Sequence, residues 1–229
     1  MKIKTALILC AGYGKRLNPI TLKIPKPLIE IKNITLLENS INFLEKLKIE
    51  NVKINTYHLH NQISNFIINH DSKLKIEIIN DGNEILDTGG GILNLINSSD
   101  ENDFIVLNPD TIWGDNYLKE TNKMVDFYIE KKIKNLLMIV KKENSFDTRM
   151  KGDFSLIDKK LFKNKENDFI YTGIQIINKS LFKNEKVMPF SITKIWDEAI
   201  KNKMLYGFES KEPFIHLTDL EIYNKLVKK

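Results

Sequence analysis

Residues 6–10, Ala-Leu-Ile-Leu-Cys, form an unbroken apolar run that stops at Ala11-Gly12-Tyr13-Gly14, the pattern of a buried strand feeding a glycine-rich turn. A second apolar run over residues 104–107 ends in Asn108-Pro109-Asp110 and predicts a central strand covered on both faces. Between the two, Leu36, Leu37, Ile41, Leu44 and Leu47 recur at helical spacing and predict a helix over 36–47 with one buried face. Strands are expected over 52–56, 74–79 and 136–140, and helices over 62–68, 117–130 and a short stretch ending at Ile96. This alternation predicts an α/β fold, a Rossmann-like three-layer sandwich with a mostly parallel mixed sheet and right-handed crossovers.

The later chain is less regular. The pattern predicts an irregular or hairpin segment from Gly152, a strand over 169–177, a helix over 192–200 and strands over 205–208 and 214–217. A last helix follows, with Thr218 and Glu221 at capping-box spacing and Asp219 placed to complement the helix dipole. No repeat or low-complexity tract interrupts the chain, and its 229 residues suit one domain spanning 1–229.

A hydrophobic content of 42% with 28% charged residues is that of a globular protein. The net charge of +5 raises nucleic acid as a partner, but the lysines are interleaved with acids and no aromatic-basic cluster occurs, so none is expected. Cys10 is the single cysteine, which excludes an internal disulfide or a thiolate metal cluster and reads as a small buried residue at a strand end. The first apolar run is short for an export signal and is followed at once by glycines and Arg16. No run approaches the roughly 18 apolar residues of a membrane span, so a cytoplasmic protein without membrane association is expected.

The glycine turn carries the strongest chemical signal. Gly12 and Gly14 let backbone N–H groups approach an anion, and Lys15, Arg16, Lys23 and Lys26 follow closely, with Lys26 held between Pro25 and Pro27. Such a loop suits a polyphosphate: amides for short contacts, Arg16 as a planar fork, Lys26 as a point charge. In an open parallel sheet ligands gather beyond the carboxyl ends of the strands, so the stretches 11–26, 80–91, 108–110 and the turn near Gly152 are expected to converge there. Asp110, at the tip of the apolar strand, is placed to hold Mg²⁺ beside phosphates, with a turn-forming Asp as the bland alternative. Two readings of the triple glycine after Thr88 stand side by side, a surface for a base or sugar and an ordinary helix N-terminus. Asn108 either contacts a sugar hydroxyl or caps its own turn. His58 and His60 lack a third ligand and read as surface or core residues. Trp113 and Trp196 read as packing residues, with Trp113 near enough to Asp110 to wall a sugar site. A dinucleotide fold is disfavoured, because Leu17 stands where a third glycine is needed and residues 56–58 offer no acid for a ribose.

The string G-x-G-x-R-L at 12–17, with P-x-T at 19–21 and P-K-P-L at 25–28, resembles the signature of sugar-1-phosphate nucleotidyltransferases. L-D-T-G-G-G-I at 86–92, N-x-D at 108–110 with Trp113, and G-D-F at 152–154 are similar to the short N-acetylmuramate 1-phosphate uridylyltransferases and their mannose-1-phosphate guanylyltransferase-like relatives, over essentially the whole chain. The resemblance implies an enzyme that joins a sugar 1-phosphate to an NTP and releases pyrophosphate. UTP with N-acetylmuramate 1-phosphate is the expected pair, and GTP with a mannose or heptose 1-phosphate the alternative. It further implies nucleotide contacts at Ala11, Gly12, Tyr13, Gly14, Asp81, Thr88 and Gly89, catalytic roles for Arg16 and Lys26, sugar contacts at Asn108, Asp153, Thr172 and Gly173, and Asp110 as a ligand for Mg²⁺ or Mn²⁺.

The chain departs from that pattern near its end. Where the family has a second metal Asp in W-x-D-x-G-T, residues 214–219 read Phe-Ile-His-Leu-Thr-Asp, with His216 in the aspartate's place. Imidazole is a poor Mg²⁺ ligand and a good one for softer metals. Three outcomes stay open: a softer metal through His216, Mg²⁺ held by Asp110 with phosphates and water, or a cleft that binds without turning over.

Overall fold

The computed structural model describes residues 3–228. In chain order its elements are β1 (Thr5–Leu9), a two-residue hairpin β2 (Glu30–Ile31) and β3 (Ile34–Thr35), α1 (Leu36–Lys46), β4 (Asn51–Thr56), α2 (His60–Asn69), β5 (Lys75–Asn80), α3 (Asp87–Asn97), β6 (Asp103–Leu107), α4 (Asn116–Glu130) and β7 (Asn135–Lys141). Then come β8 (Ser155–Ile157), β9 (Lys160–Phe162), β10 (Phe169–Asn178), α5 (Thr193–Lys201), β11 (Tyr206–Ser210) and α6 (Leu220–Val227).

Nine strands form one mixed sheet in the order β5-β4-β1-β6-β10-β7-β11-β9-β8, and all but β10 and β9 run in the same direction. Strand alternation divides the apolar positions between its faces. Ala6 and Ile8 meet Leu37, Ile41 and Leu44 of α1, Ile63 of α2 and Met124 of α4, whereas Leu7 joins Ile92 and Ile96 of α3 and Trp196 of α5 on the other side. The result is the expected three layers. A smaller cluster unites Leu17 of the basic loop, Leu36 of α1 and Ile222 and Leu226 of α6, so the C-terminal helix closes over the loop that follows β1.

Register decides what meets at the carboxyl edge. β1 pairs in parallel with β4, Leu9 opposite Asn55, and with β6, Ile8 opposite Leu107. The segments that leave these three strands therefore emerge side by side.

Two expectations need correction. Residues 214–217 form no sheet strand; they make single bridges, Phe214 to Ser145 and His216 to Thr111. Their backbone groups are taken by two loops, with Phe146 N–H donating to the Phe214 carbonyl at 2.8 Å, Ile112 N–H to Ile215 at 2.9 Å and Leu217 N–H to Asp110 at 2.8 Å. The final helix is capped by Asp219, whose carboxylate accepts the Ile222 N–H at 3.0 Å, and not by Thr218, because a charged carboxylate is the stronger acceptor for the exposed amides of a first turn. The triple glycine lies inside α3, so the helical reading holds. A Cβ on Gly90 would stand 2.2 Å from the Met188 carbonyl oxygen, one on Gly89 2.3 Å from the Phe190 ring and one on Gly91 2.7 Å from the Asn55 amide, so these glycines let residues 188–190 and Asn55 lie against the helix.

Arg149 joins a loop to the start of α6. It holds Asp147 through Nε at 2.7 Å and Nη2 at 2.8 Å, and reaches Asp219 at 2.8 Å and Glu221 at 2.7 Å. Hydrogen bonds from Arg149 hold the Asp147 carboxyl at about 2.

Two stability predictions follow from these contacts. Gly90→Ala forces α3 off the Met188 carbonyl and should cost about 1–3 kcal/mol, read as a lower urea midpoint with an unchanged slope. Because the Asp147 carboxyl is depressed in the fold, the Arg149 pairing stabilises fully above about pH 4 and is lost as the pH falls through about 2. Arg149→Ala should therefore be less stable than wild type at pH 6, with the difference shrinking below about pH 3 in urea unfolding.

Candidate active site

The carboxyl edge of β1, β4 and β6 opens into a cleft of about 270 Å³. It is lined by Cys10, Ala11, Gly12, Gly14, Arg16 and Lys26 from the first loop, Asn55 from β4, Asp87 and Thr88 from the start of α3, and Asn108, Pro109 and Asp110 after β6. Three stretches far apart in sequence thus share one pocket, as expected; the turn near Gly152 does not line it, because Gly152 is packed against residues 167–168.

The loop holds its shape through short contacts. Gly14 adopts φ +63, and a Cβ there would meet Thr21 at 2.9 Å, while the Thr21 hydroxyl bonds the Gly14 carbonyl at 3.0 Å. Leu17 is buried and anchors the turn beneath α6. A Cβ on Gly12 would meet nothing within 4 Å, so this stretch of backbone faces open space. Tyr13 is not part of the cleft lining: its ring is half-exposed, packs on Tyr57 and His58, and lies under Lys15. His58 bonds the Thr21 carbonyl oxygen at 2.8 Å, bracing the loop instead of ligating a metal.

Asn55 is a cleft residue that sequence reasoning missed. Its side-chain oxygen accepts the Cys10 N–H at 2.9 Å and its amide donates to Asp81 at 3.0 Å. An amide at the carboxyl end of a predicted strand, where ligands gather, was the available signal. Asp81, expected at the nucleotide, stands behind Asn55 and is occupied by Asn55 and Asn94; burial raises its carboxyl, and these two amides offset part of that rise. Asp87, also missed, lines the cleft with the left-handed φ of +56, uncommon for a residue with a Cβ.

The charged centre is a Lys–Asp–His cluster. Lys26 Nζ donates to Asp110 Oδ2 at 2.5 Å, with both side chains less than a fifth exposed. Asp110 Oδ1 is buried without a hydrogen-bond partner, and His216 Nδ1 lies 3.6 Å from it. Burial alone would raise the Asp110 carboxyl, but the neighbouring His216 and Lys26 override it and hold it at about 2. Burial also lowers His216, against a partial opposing pull from Asp110, and Lys26 and Arg16 push it the same way as burial. His216 is positioned by stacking on Phe214 at 5.7 Å and by its bridge to Thr111.

Among the described residues no group of three or more His, Cys, Asp or Glu side chains is placed to hold a metal. Asp110 lines the cleft and its Oδ1 has no hydrogen-bond partner, while His216 Nδ1, 3.6 Å from it, also lies 3.4 Å from the Thr111 hydroxyl. That pair fits a divalent cation whose other ligands come from phosphate and water.

The expected sugar contacts divide. Asn108 lines the cleft. The Thr172 side chain is buried and its hydroxyl donates to the Met138 carbonyl at 3.1 Å, so it shapes β10 instead of facing a ligand. Gly173 adopts φ +98, accepts the Asn108 N–H at 2.9 Å and allows β10 to approach Asn108. Asp153 Oδ2 accepts the Tyr171 N–H at 2.9 Å, and burial raises its carboxyl. Thr88 lines the cleft and its hydroxyl accepts the Ile192 N–H at 2.9 Å, whereas Gly89 faces Phe190. Trp113 is buried against Phe43 and Tyr117 and does not wall the cleft, and Trp196 donates to Gln175 within the core. Cys10 is buried as expected, and burial pushes its thiol up, away from nucleophilic use. No helix among the described residues is long and apolar enough to cross a membrane.

The chain is 28% identical over 230 residues to a D-glycero-alpha-D-manno-heptose 1-phosphate guanylyltransferase of Aneurinibacillus thermoaerophilus, covering 97% of this chain and 96% of that one. It is 22% identical over 223 residues to an N-acetylmuramate alpha-1-phosphate uridylyltransferase of Caulobacter vibrioides, covering 94% and 92%. Among solved structures, a UDP-glucose pyrophosphorylase complexed with UDP-glucose matches with TM-score 0.80 at 17% identity, over 99% of this chain and 97% of that one. HddC from Yersinia pseudotuberculosis complexed with GMP-PN matches with TM-score 0.78 at 22% identity, over 99% of both. At these identities the two structures speak to the fold, a mostly parallel mixed sheet between helices. The nucleotidyl transferase family profile matches residues 5–149, which hold the glycine loop, Lys26, Asn55 and Asp110. With most of the chain inside that match and its cleft at the matched strand ends, the protein belongs to the nucleotidyl transferase family.

Proposed function

We propose that this chain joins a sugar 1-phosphate to a nucleoside triphosphate, forming an NDP-sugar and pyrophosphate with the help of a divalent cation. The observation that carries this reading is the convergence of Arg16, Lys26 and Asp110 on one cleft floored by the bare backbone at Gly12. A sugar-phosphate oxygen is already ionised at neutral pH. It attacks the α-phosphorus, and the bond from that phosphorus to the bridging oxygen of the leaving pyrophosphate breaks, so no protein base or nucleophile is needed. The protein's task is alignment and charge neutralisation. Arg16 and the loop amides hold the triphosphate and the departing pyrophosphate, Lys26 meets the reacting phosphates, and Asp110 with His216 holds the cation. When bound, the cation, Mg²⁺ or Mn²⁺, neutralises phosphate charge. Asn108 and Thr88, both in the cleft lining, are the side chains offered to the sugar or the base.

For the substrates, the motifs at 86–92 and 152–154 favour UTP and N-acetylmuramate 1-phosphate. A second reading, GTP with a heptose 1-phosphate, is favoured by the full-length relative at 28% identity. A panel of four NTPs against N-acetylmuramate, heptose, mannose and glucose 1-phosphates, assayed for pyrophosphate with Mg²⁺ and with Mn²⁺, decides between them. Nucleotide binding without pyrophosphate release across the panel would instead identify a binding module.

Losing one preorganised charge-stabilising group typically costs about 3 kcal/mol in the transition state. Arg16→Ala and Asp110→Ala should each lower turnover about 100-fold or more while retaining a cooperative thermal transition. Wild-type turnover in either purified variant would refute the assignment. Gly12→Ala adds a methyl group to open space in the cleft, so its melting temperature should match wild type while KM for the nucleotide rises.

A further inference from the structure

We propose that Lys26 is the resident counter-cation of Asp110, competing with a metal for the same carboxylate, so that cation and triphosphate each bind weakly alone and strongly together. The proposal rests on the functional reading above and adds an order of events to it. Asp110 Oδ2 is taken by Lys26 Nζ at 2.5 Å, and only Oδ1 lacks a partner. The lysine stem is fixed: Pro25 and Pro27 flank it, Leu28 N–H donates to the Pro25 carbonyl at 2.8 Å and Ile29 N–H to the Lys26 carbonyl at 3.1 Å. The ammonium therefore moves by side-chain rotation while its backbone stays in place.

A dication that arrives alone meets this ammonium on the carboxylate it needs, with Arg16 in the same cleft. The second donor does not relieve the conflict. His216 stands 3.6 Å from Asp110, and an imidazole brings no negative charge in either protonation state, where a second carboxylate would have balanced Lys26. A triphosphate that arrives alone meets the mirror problem, because Lys26 must leave Asp110 and the exposed carboxylate then repels the phosphates. With both present, phosphate takes Lys26 and the dication takes Asp110. The linkage is reciprocal, as binding free energies require.

The test begins with Mn²⁺ binding to nucleotide-free protein, followed by the electron paramagnetic resonance signal of unbound Mn²⁺. Lys26→Met and Lys26→Gln should bind Mn²⁺ about tenfold or more tightly than wild type, within the usual range of such couplings. Adding Asp110→Asn to Lys26→Met should remove that gain, which places it at the carboxylate. In the reciprocal arm, Asp110→Asn should bind UTP or GTP about tenfold more tightly than wild type in EDTA by equilibrium dialysis, because Lys26 is released. Folded Lys26 variants that bind Mn²⁺ no more tightly than wild type would overturn the proposal, as would unchanged nucleotide affinity in Asp110→Asn. Pyrophosphate release by wild type alongside either result would leave the transferase reading standing. Absence of nucleotide binding and of pyrophosphate release in wild type would sink the transferase reading while the Mn²⁺ arm still judges Lys26.

Discussion

The parallel register of β1 between β4 and β6 is the constraint from which the cleft follows. With Leu9 opposite Asn55 and Ile8 opposite Leu107, the glycine loop, the Asn55 amide and Asp110 leave the sheet at neighbouring points. A one-residue slip of β1 would send Ala6 and Ile8 to the face now filled by Leu7 and misplace both core layers. Burial on both faces therefore protects the geometry of the site, and the hydrogen bond from Cys10 N–H to Asn55 extends the pairing one step past the strand into the loop.

On that scaffold the cleft keeps its charges in balance. Arg16 and Lys26 face Asp110 and Asp87 within one lining, and the closest pair is nearly dehydrated. Stripping water from such a pair is costly, and removing one partner leaves the other unmatched. The ammonium of Lys26 sits directly on Asp110, and His216 approaches the same carboxylate from the other oxygen.

The C-terminal segment is tied to the site by a separate brace. Arg149 grips Asp147, Asp219 and Glu221, while Leu217 and Ile222 pack with Leu17 of the basic loop. His216 is thus held between two anchored neighbours and reaches Asp110 from the far end of the chain.

The layers and the shape of the glycine loop were legible in the residue pattern. Apolar runs at 6–10 and 104–107, each ending at turn residues, predict strands buried on both faces, and the spacing of Gly12, Gly14, Arg16 and Lys26 is legible because those residues are local in sequence. Tertiary structure alone decided which polar groups are free. Asp81 is consumed by Asn55 and Asn94, the Thr172 hydroxyl by Met138, and residues 214–217 by two loops in place of a sheet edge. Gly89 and Gly90 of α3 serve the chain at 188–190, about a hundred residues away. The reason is physical: burial periodicity is written along the chain, whereas the partner of a buried hydrogen-bonding group is chosen among all groups that the fold brings within about 3 Å.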